Sequence, residues 1–221
     1  MDVGKVKIIF EDSNILVVNK EAGLEVDEPR NKNDNNIVNY LKKHFCQKDL
    51  FLVHRLDKFT SGLVIIAKDV KSQKNLEKQF RDKKVKKVYH AVVKGTFDKK
   101  RGMIDLPIGL DRKVKQKRWI VRGGEKAITH FEALKRLGDA YTLVKLEPVT
   151  GRTHQLRVHM AYLGHPIVGD KLYNGRVDGL KTDGFALIAK RIEFHHPTTG
   201  RLEKFEIKYG EEFEKILKLL K

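Results

Sequence analysis

The chain has 221 residues, with 46 Lys and Arg against 29 Asp and Glu, and carries a formal net charge of +17 at pH 7. Because 40% of its residues are hydrophobic and 34% are charged, it should fold as a globular protein, and its longest apolar run is far below the roughly 18 to 20 residues that span a membrane. The single Cys46 excludes an internal disulfide or a multi-cysteine metal site, so we expect a cytoplasmic protein that is not membrane-bound.

The first half of the chain is predicted to contain three strands and two helices. β-branched and alternating runs indicate the strands, and apolar residues at helical spacing indicate the helices. The predicted strands are residues 6–10, 15–19 and 62–67, and the predicted helices are residues 36–45 and 70–80. Asp69 is placed to cap the second helix.

The second half is predicted to contain five strands and two helices in irregular order. The strands are residues 88–93, 128–134, 141–146, 186–194 and 202–208, and the helices are residues 153–163 and a C-terminal segment that includes 213–220. The irregular order predicts a mixed α/β sheet rather than a simple parallel one. Since no internal repeat or linker is present, we predict a single domain, residues 1–221.

Common phosphate-binding and metal-binding motifs do not occur in the sequence. Glycine-rich phosphate loops are missing, so nucleoside triphosphate chemistry is not expected. His154 and His159 are five residues apart, which places them about 140° apart on a helix. His195 and His196, with Asp170, are a second possible ligand set. Because the two histidines are adjacent, they would point to opposite faces of a strand and could not bind one metal ion together. We therefore expect no metal site.

The most informative stretch is HRLDKFTSG at residues 54–62. If its first four residues are extended, Arg55 and Asp57 project to the same side, and Asp57 lies just before a turn rich in Lys, Thr, Ser and Gly. A carboxylate at such a turn is well placed to enter a cleft. By spacing alone, however, Asp57 is more often a turn residue or an ion-pair partner.

Together with two further motifs, this stretch resembles the RluA-type pseudouridine synthases. The matching motifs are HRLDKFTSG at 54–62, KVYHAVVKG at 87–95 and PVTGRTHQLRVHMAYLGHPIVGD at 148–170. The resemblance implies a mixed α/β (α+β) fold with a central, mostly antiparallel sheet, flanking helices and an active-site cleft. It also implies isomerisation of uridine to pseudouridine in ribosomal or transfer RNA, with no cofactor and no metal.

The resemblance implies a role for four residues. Asp57 takes the place of the family's catalytic aspartate, and Arg157 that of the arginine that pairs with it. Tyr89 takes the place of a tyrosine that stacks on the target base, and Arg55 that of an arginine proposed to replace the flipped nucleotide in the RNA stack. Without the resemblance, Tyr89 would be read as a core tyrosine and Arg157 as a solvated helix arginine.

The reaction that the resemblance implies accounts for these residue types. Breaking the N1–C1′ bond and forming a C5–C1′ bond requires a carboxylate beside an electron-poor sugar carbon, as in glycosidases. The uracil must first leave the RNA stack, and the aromatic face of Tyr89 can hold it. The sequence leaves open whether Asp57 attacks ribose C1′ or uracil C6.

A basic segment surrounds the second motif. Residues 81–122 hold 15 Lys and Arg against 4 Asp and Glu, which is +11 of the total charge of +17 and suggests a polyanionic partner. The resemblance implies that the last part of this segment is a loop that grips RNA. Since cations neutralise phosphates and an indole can pack on a base, we expect RNA contacts from Lys113, Lys115, Lys117, Arg118 and Trp119. The same charge could belong to a solvated hairpin, and lysine-rich surfaces also arise from thermal adaptation.

Departures from the family pattern lead to further expectations. The first predicted strand begins near residue 6, so we expect no S4-type RNA-binding domain and a monomer that docks RNA with its catalytic domain. The family's usual Asn-Lys-Pro is Asn19-Lys20-Glu21 here, expected to lie away from the catalytic set. Two alternatives to an isomerase remain open: a non-catalytic RNA-binding protein, and a metal-dependent phosphoesterase that would lose activity on chelation.

Overall fold

The structure, a computed structural model, describes residues 2–3, 6–26, 36–45, 49–114, 116–180, 182 and 184–221. Within these ranges the chain forms thirteen strands, four α-helices and one short 3₁₀ helix. The strands are β1 (Asp2–Val3), β2 (Val6–Glu11), β3 (Ile15–Lys20), β4 (Phe51–Leu52), β5 (Ser61–Ala67), β6 (Lys86–Lys94), β7 (Arg101–Asp105), β8 (Ile108–Leu110), β9 (Arg118–Ile120), β10 (Ile128–Leu137), β11 (Tyr141–Pro148), β12 (Leu187–His195) and β13 (Leu202–Glu206). The helices are α1 (Ile37–Phe45), α2 (Val70–Arg81), α3 (Gln155–Tyr162) and α4 (Glu211–Leu219), and the 3₁₀ helix is Lys171–Tyr173.

The elements predicted from the sequence are all present, with ends that shift by a few residues. Five strands were not predicted: β1, β4, β7, β8 and β9. Four of them are two or three residues long, too short to show a period. β7 pairs with β10 at the end of the strand order, and it carries charged residues at both ends, which is common at a sheet edge but conceals a strand in the sequence.

The chain divides into two compact units. Unit 1 consists of Met1–Lys87 and Ala189–Lys208. Its strand order is β1, β2, β3, β5 and β12, most of β12 belonging to this unit, and β4 also pairs with β5 and β13 with β12. The pairs β1–β2, β2–β3, β3–β5, β4–β5 and β12–β13 run antiparallel.

Strands β3 and β5 form the apolar centre of unit 1. Ile15 lies opposite Ala67 in this pair, and both side chains are fully buried. Helix α2 follows β5 and begins as predicted, because the Asp69 carboxylate accepts the Ser72 N–H at 2.8 Å. A buried strand pair of this kind gives the loop before β5 a rigid base.

Unit 2 consists of Val88–Ile188 and Tyr209–Lys221. Four antiparallel strands follow the order β6, β11, β10 and β7, and β8 and β9 form a separate hairpin. Helix α3 packs on this sheet through a shared core that includes Ala91, Val93, Val144, Leu146, Leu156 and Met160. The sheet therefore positions the helix that carries Arg157.

These elements confirm the expected mixed α/β class. The pairs with a defined register in each unit are antiparallel, in agreement with the mostly antiparallel sheet that was expected. The single domain stays a prediction. Over the part of the chain that the structure describes, no helix is both long enough and apolar enough to cross a membrane.

Candidate active site

Asp57 lies in a turn of unit 1 that its own backbone closes. The Thr60 N–H donates to the Asp57 carbonyl at 3.0 Å. The side chains of Leu56 and Thr60 are buried and attach the turn to the interior of the unit. Arg55 is exposed and Asp57 is half-buried. On either side of Leu56, the two predicted site residues therefore keep access to solvent.

The buried ammonium group of Lys20 ties this turn to the end of β3. Its Nζ donates hydrogen bonds to the carbonyls of Glu21, Leu24 and Lys58 at 3.1, 2.9 and 3.0 Å. Burial lowers the pKa of Lys20 to about 7, and the nearby charge of Asp57 acts in the opposite direction. Lys20 thus supplies both a cation and a rigid support beside the Asp57 turn.

Two more contacts hold the same turn. The Lys58 carbonyl accepts the Gly23 N–H at 2.9 Å. The Lys58 ammonium pairs with Glu25 at 3.2 Å, with both side chains largely exposed. Exposed ion pairs contribute little to stability, so the backbone carbonyl of Lys58, shared by Lys20 and Gly23, is the stronger anchor.

His54 supports the start of the motif inside unit 1. Its Nε2 accepts the Ile65 N–H at 2.9 Å, and its ring stacks on Phe80 with the centroids 4.7 Å apart. Burial, and secondly the charge of Lys87, lower the pKa of His54 to about 3. The imidazole is therefore neutral near pH 7 and serves as a structural hydrogen-bond acceptor.

Helix α3 of unit 2 holds Arg157 between two polar anchors. Gln155 donates to the Ile128 carbonyl at 2.9 Å, and His159 is hydrogen-bonded to Thr129 Oγ1 at 2.9 Å. Both anchors are buried. Because they attach the helix to β10 on either side of Arg157, they fix the backbone from which the guanidinium projects.

The Arg157 guanidinium is clamped by a carboxylate and two rings. Its Nε and Nη2 donate to the two oxygens of Asp170 at 2.6 and 3.0 Å. Its central carbon lies 5.0 Å from the ring centre of Tyr173 and 4.6 Å from that of Phe185. Arg157 is 7% exposed and Asp170 is 1% exposed, so the alternative of a solvated helix arginine is wrong. The bidentate pair fixes the guanidinium plane.

Tyr89 lies on β6 in unit 2. It is half-buried, lies opposite Leu146 of β11 and packs against the core under α3. A ring in this position is supported by the core yet retains some access to solvent, which stacking on a base requires. Its role as a stacking residue stays a prediction.

The last part of the basic segment contains the hairpin of β8 and β9, which we call the basic hairpin (residues 108–120). Near its tip the Asp111 carboxylate accepts the Lys113 N–H at 2.7 Å, and the Lys113 side chain is exposed. The Lys117 ammonium lies 5.0 Å from the ring centre of Trp119. The segment therefore forms a hairpin, and its contact with RNA stays a prediction.

The predicted site residues fall into two sets. Asp57 and Arg55 lie in unit 1, and the residues in unit 2 are Tyr89, Arg157, Lys113, Lys117, Arg118 and Trp119. Lys115 lies outside the described residues. The pairing of Asp57 with Arg157 stays a prediction.

Three supporting residues were not predicted from the sequence: Lys20, Asp170 and Tyr173. Lys20 ends the apolar run ILVVNK, and a lysine there could have indicated a buried cation. The segment Asn19-Lys20-Glu21 was expected to lie away from the catalytic set, but the Lys20 ammonium binds the carbonyl of Lys58, the residue after Asp57. Asp170 was considered only as a metal ligand, because its partner is 13 residues away in sequence.

The histidines considered as metal ligands have other partners. His154 is hydrogen-bonded to the Tyr173 hydroxyl at 2.9 Å, and His196 to Asp12 at 2.8 Å. Among the residues that the structure describes, no group of three or more His, Cys, Asp or Glu side chains is arranged to hold a metal ion.

The chain is similar along its length to known pseudouridine synthases. Residues 14–162 match the family model for RNA pseudouridylate synthase. The ribosomal large subunit pseudouridine synthase D of Pseudomonas aeruginosa is 37% identical over 98% of this chain and 72% of its own length. The dual-specificity RNA pseudouridine synthase RluA of Haemophilus influenzae is 38% identical over 91% of this chain and 92% of its own length.

The fold is shared as well. The solved structure of human RNA pseudouridylate synthase domain containing 1 matches 95% of this chain and 85% of that chain, with a TM-score of 0.79 and 28% identity. The resemblance inferred from the three motifs is thereby confirmed. The chain belongs to the RNA pseudouridylate synthase family and is an isomerase that converts uridine to pseudouridine in RNA.

Proposed function

We propose that the chain modifies specific uridines in ribosomal or transfer RNA, with Asp57 as the catalytic carboxylate. The observation that carries this proposal is the support of the Asp57 turn: the Asp57 backbone carbonyl accepts the Thr60 N–H, the Lys58 carbonyl accepts the buried Lys20 ammonium, and the half-buried Asp57 side chain projects from this fixed backbone. The name of the Pseudomonas relative, a ribosomal large subunit enzyme, supports ribosomal RNA as the substrate class.

Each predicted residue has a role in this reaction. The target uridine flips out of the stack, Arg55 fills the gap, and Tyr89 stacks on the uracil. Asp57 attacks ribose C1′ or uracil C6, or stabilises the charge that develops as the glycosidic bond breaks. Arg157, whose guanidinium plane Asp170 fixes, orients the Asp57 carboxylate through its remaining N–H groups.

The RNA is held by the basic hairpin through Lys113, Lys115, Lys117, Arg118 and Trp119. Exposed cations neutralise phosphates, and the indole contacts a base or ribose. The protein acts in the cytoplasm as a monomeric single domain. The rearrangement adds no atom and changes no oxidation state, so it proceeds without a metal or cofactor.

Tritium release from RNA labelled at uridine C5 tests the catalytic role of Asp57. Asp57→Asn should abolish release while RNA binding persists. The matched control is Asp98→Asn, at an exposed aspartate of unit 2, which should release tritium at the wild-type rate. Full activity of Asp57→Asn would contradict the proposal.

A nucleotide-resolution pseudouridine map, made with and without this protein, tests the substrate class. Sites that depend on the protein should appear in ribosomal or transfer RNA and should vanish with Asp57→Asn. Activity should also survive chelation. Modification confined to other RNAs, or loss of activity on chelation, would overturn these parts of the proposal.

A further inference from the structure

Tyr173 lies where the basic hairpin packs against helix α3 in unit 2. Its side chain is 2% exposed and is packed with Ile108 of β8, Trp119 of β9 and Val158 of α3. We propose that Tyr173 is a positioning residue that couples RNA binding at the basic hairpin to the orientation of the Arg157 guanidinium. This inference rests on the proposed function, in which the hairpin binds RNA and Arg157 orients Asp57.

The Tyr173 hydroxyl joins the hairpin to the start of α3. It accepts the backbone N–H of Arg118 at 3.0 Å and is hydrogen-bonded to Nδ1 of His154 at 2.9 Å. A phenol can accept one hydrogen bond while donating another, so both bonds form together. The hydroxyl therefore sets the position of β9 relative to the residue that precedes α3.

The Tyr173 ring contacts both the hairpin and the active-site arginine. The Arg157 guanidinium carbon lies 5.0 Å from the ring centre. The Trp119 ring is nearly parallel to it, at an interplanar angle of 11° and a centroid distance of 6.3 Å, and the Lys117 ammonium lies 5.5 Å from its centre. The Tyr173 ring thus lies against Lys117 of the basic hairpin and against Arg157 of α3.

His154 makes the connection to α3 sensitive to Tyr173. It adopts the left-handed conformation, with φ 59° and ψ 15°, and its side chain does not cap the helix. This conformation is uncommon for a residue with a Cβ. The bond to Tyr173 helps to hold it, so a displaced hairpin would shift the N-terminus of the helix that carries Arg157.

The two ends of Tyr173 should therefore have separable effects. The hydroxyl places the hairpin, so its loss should act mainly on RNA affinity and, through His154, to a smaller extent on the chemical step. The ring packs on the guanidinium and governs the chemical step once RNA is bound. A residue needed only for folding would change both properties together.

The first experiment measures RNA affinity with Trp119, the only tryptophan of the chain, as the fluorescent reporter. Tyr173→Phe deletes the hydroxyl and keeps the ring, and should raise Kd for a uridine-rich 20-nucleotide RNA about 5- to 10-fold. The single-turnover rate of tritium release at saturating RNA should fall by less than the affinity. Tyr141→Phe, at the start of β11 in the same unit, is the matched control.

The second experiment removes the ring. Tyr173→Leu should slow the single-turnover rate at saturating RNA by about 5-fold or more, because the contact with Arg157 is lost. Should a Tyr173 variant fail to fold, His154→Asn cuts one hydroxyl bond at a position where Asn tolerates the left-handed conformation, with the same expected loss of affinity. If Tyr173→Leu releases tritium at the wild-type rate at saturating RNA, the link between Tyr173 and Arg157 is overturned.

A double-mutant cycle tests whether the hydroxyl acts through the hairpin. In a background with Lys113, Lys115, Lys117 and Arg118 all replaced by Gln, Tyr173→Phe should change Kd by less than about twofold, since the hairpin then lacks the four cations proposed to bind RNA. An equal penalty in both backgrounds, or no penalty in either, would overturn the proposal. Failure of the proposed function would look different, because wild-type protein would then bind RNA and release no tritium.

Discussion

The Lys20 ammonium and the Lys58 carbonyl are joined by a 3.0 Å hydrogen bond. Residue 58 directly follows Asp57, so this bond fixes the backbone from which the Asp57 carboxylate, the proposed catalytic group, projects. The same ammonium also donates to the carbonyls of Glu21 and Leu24, so it connects the turn to the chain that follows β3. A side chain with no direct part in the chemistry can therefore decide the geometry of the site.

Replacing Lys20 by Met should lower both stability and catalysis. Three carbonyls lose a donor, and among the described residues only that of Lys58 keeps another, the Gly23 N–H. Such a loss in a buried site costs about 1–3 kcal/mol of unfolding free energy. The single-turnover rate of tritium release should fall at least about tenfold, which corresponds to about 1.4 kcal/mol of activation free energy. Urea unfolding and tritium release measure the two effects. Lys74→Met, at an exposed position of α2, should match wild type in both.

The buried pair of Arg157 and Asp170 predicts a separation of stability from activity. Breaking such a pair from one side leaves an uncompensated charge and costs about 3–5 kcal/mol, whereas replacing both partners by apolar residues is often neutral. Arg157→Met and Asp170→Leu should each destabilise the protein, and the double variant should recover much of the loss in urea unfolding. All three should lack tritium release. Activity in the double variant would show that the guanidinium is not required.

The sequence was sufficient for the elements that have long periodic patterns and, through its three motifs, for the family. It could not reveal that Arg157 is buried, because its partner Asp170 and the rings of Tyr173 and Phe185 come from a later part of the chain. Lys20 was missed for a different reason. Its role depends on carbonyl groups, which every residue has and which leave no trace in the pattern.

Gly62, the last residue of the HRLDKFTSG motif, should not tolerate a side chain. Its φ is +111°, and an added Cβ would lie 2.6 Å from the Ala189 nitrogen in the same unit. Backbone strain and overpacking together should cost Gly62→Ala about 2–5 kcal/mol. Gly164→Ala isolates the strain, because Gly164 has a φ of +82° and open space around its Cβ position. Equal urea midpoints for the two variants would contradict the close approach.

The lowered pKa of His54 predicts acid sensitivity. The pKa of the imidazole is 6.5 in the unfolded chain and about 3 in the folded protein. Below pH 6.5 the unfolded state therefore binds a proton that the folded state excludes. Above pH 6.5 this group does not change the free energy of unfolding. As the pH falls from 6.5 toward 3, the free energy of unfolding decreases by about 1.4 kcal/mol for each pH unit.

Urea unfolding at pH 6.5 and pH 5 measures this effect. His54→Gln keeps an acceptor for the Ile65 N–H and should reduce the loss between the two pH values by about 2 kcal/mol relative to wild type. His130→Gln, at an exposed position of β10, should lose as much as wild type does. An unchanged pH slope in His54→Gln would show that other groups control acid unfolding.

The basic hairpin predicts a strong dependence of RNA binding on salt. Each phosphate neutralised on single-stranded RNA contributes about −0.7 to the slope of log K against log salt concentration. Replacing Lys113, Lys115, Lys117 and Arg118 by Gln should therefore flatten the slope by about 3 units if all four contact phosphates. The single-turnover rate at saturating RNA should change much less than the affinity.

A charge-matched variant on α2 shows whether location or total charge is responsible. Lys71, Lys74, Lys78 and Arg81 are exposed on that helix, and their replacement by Gln removes the same four charges. If the hairpin binds RNA, the α2 variant should keep a nearly wild-type slope in binding titrations between about 50 and 200 mM salt. Equal losses in the two variants would mean that the net charge of +17 acts as a diffuse field and that the hairpin has no special contact with RNA.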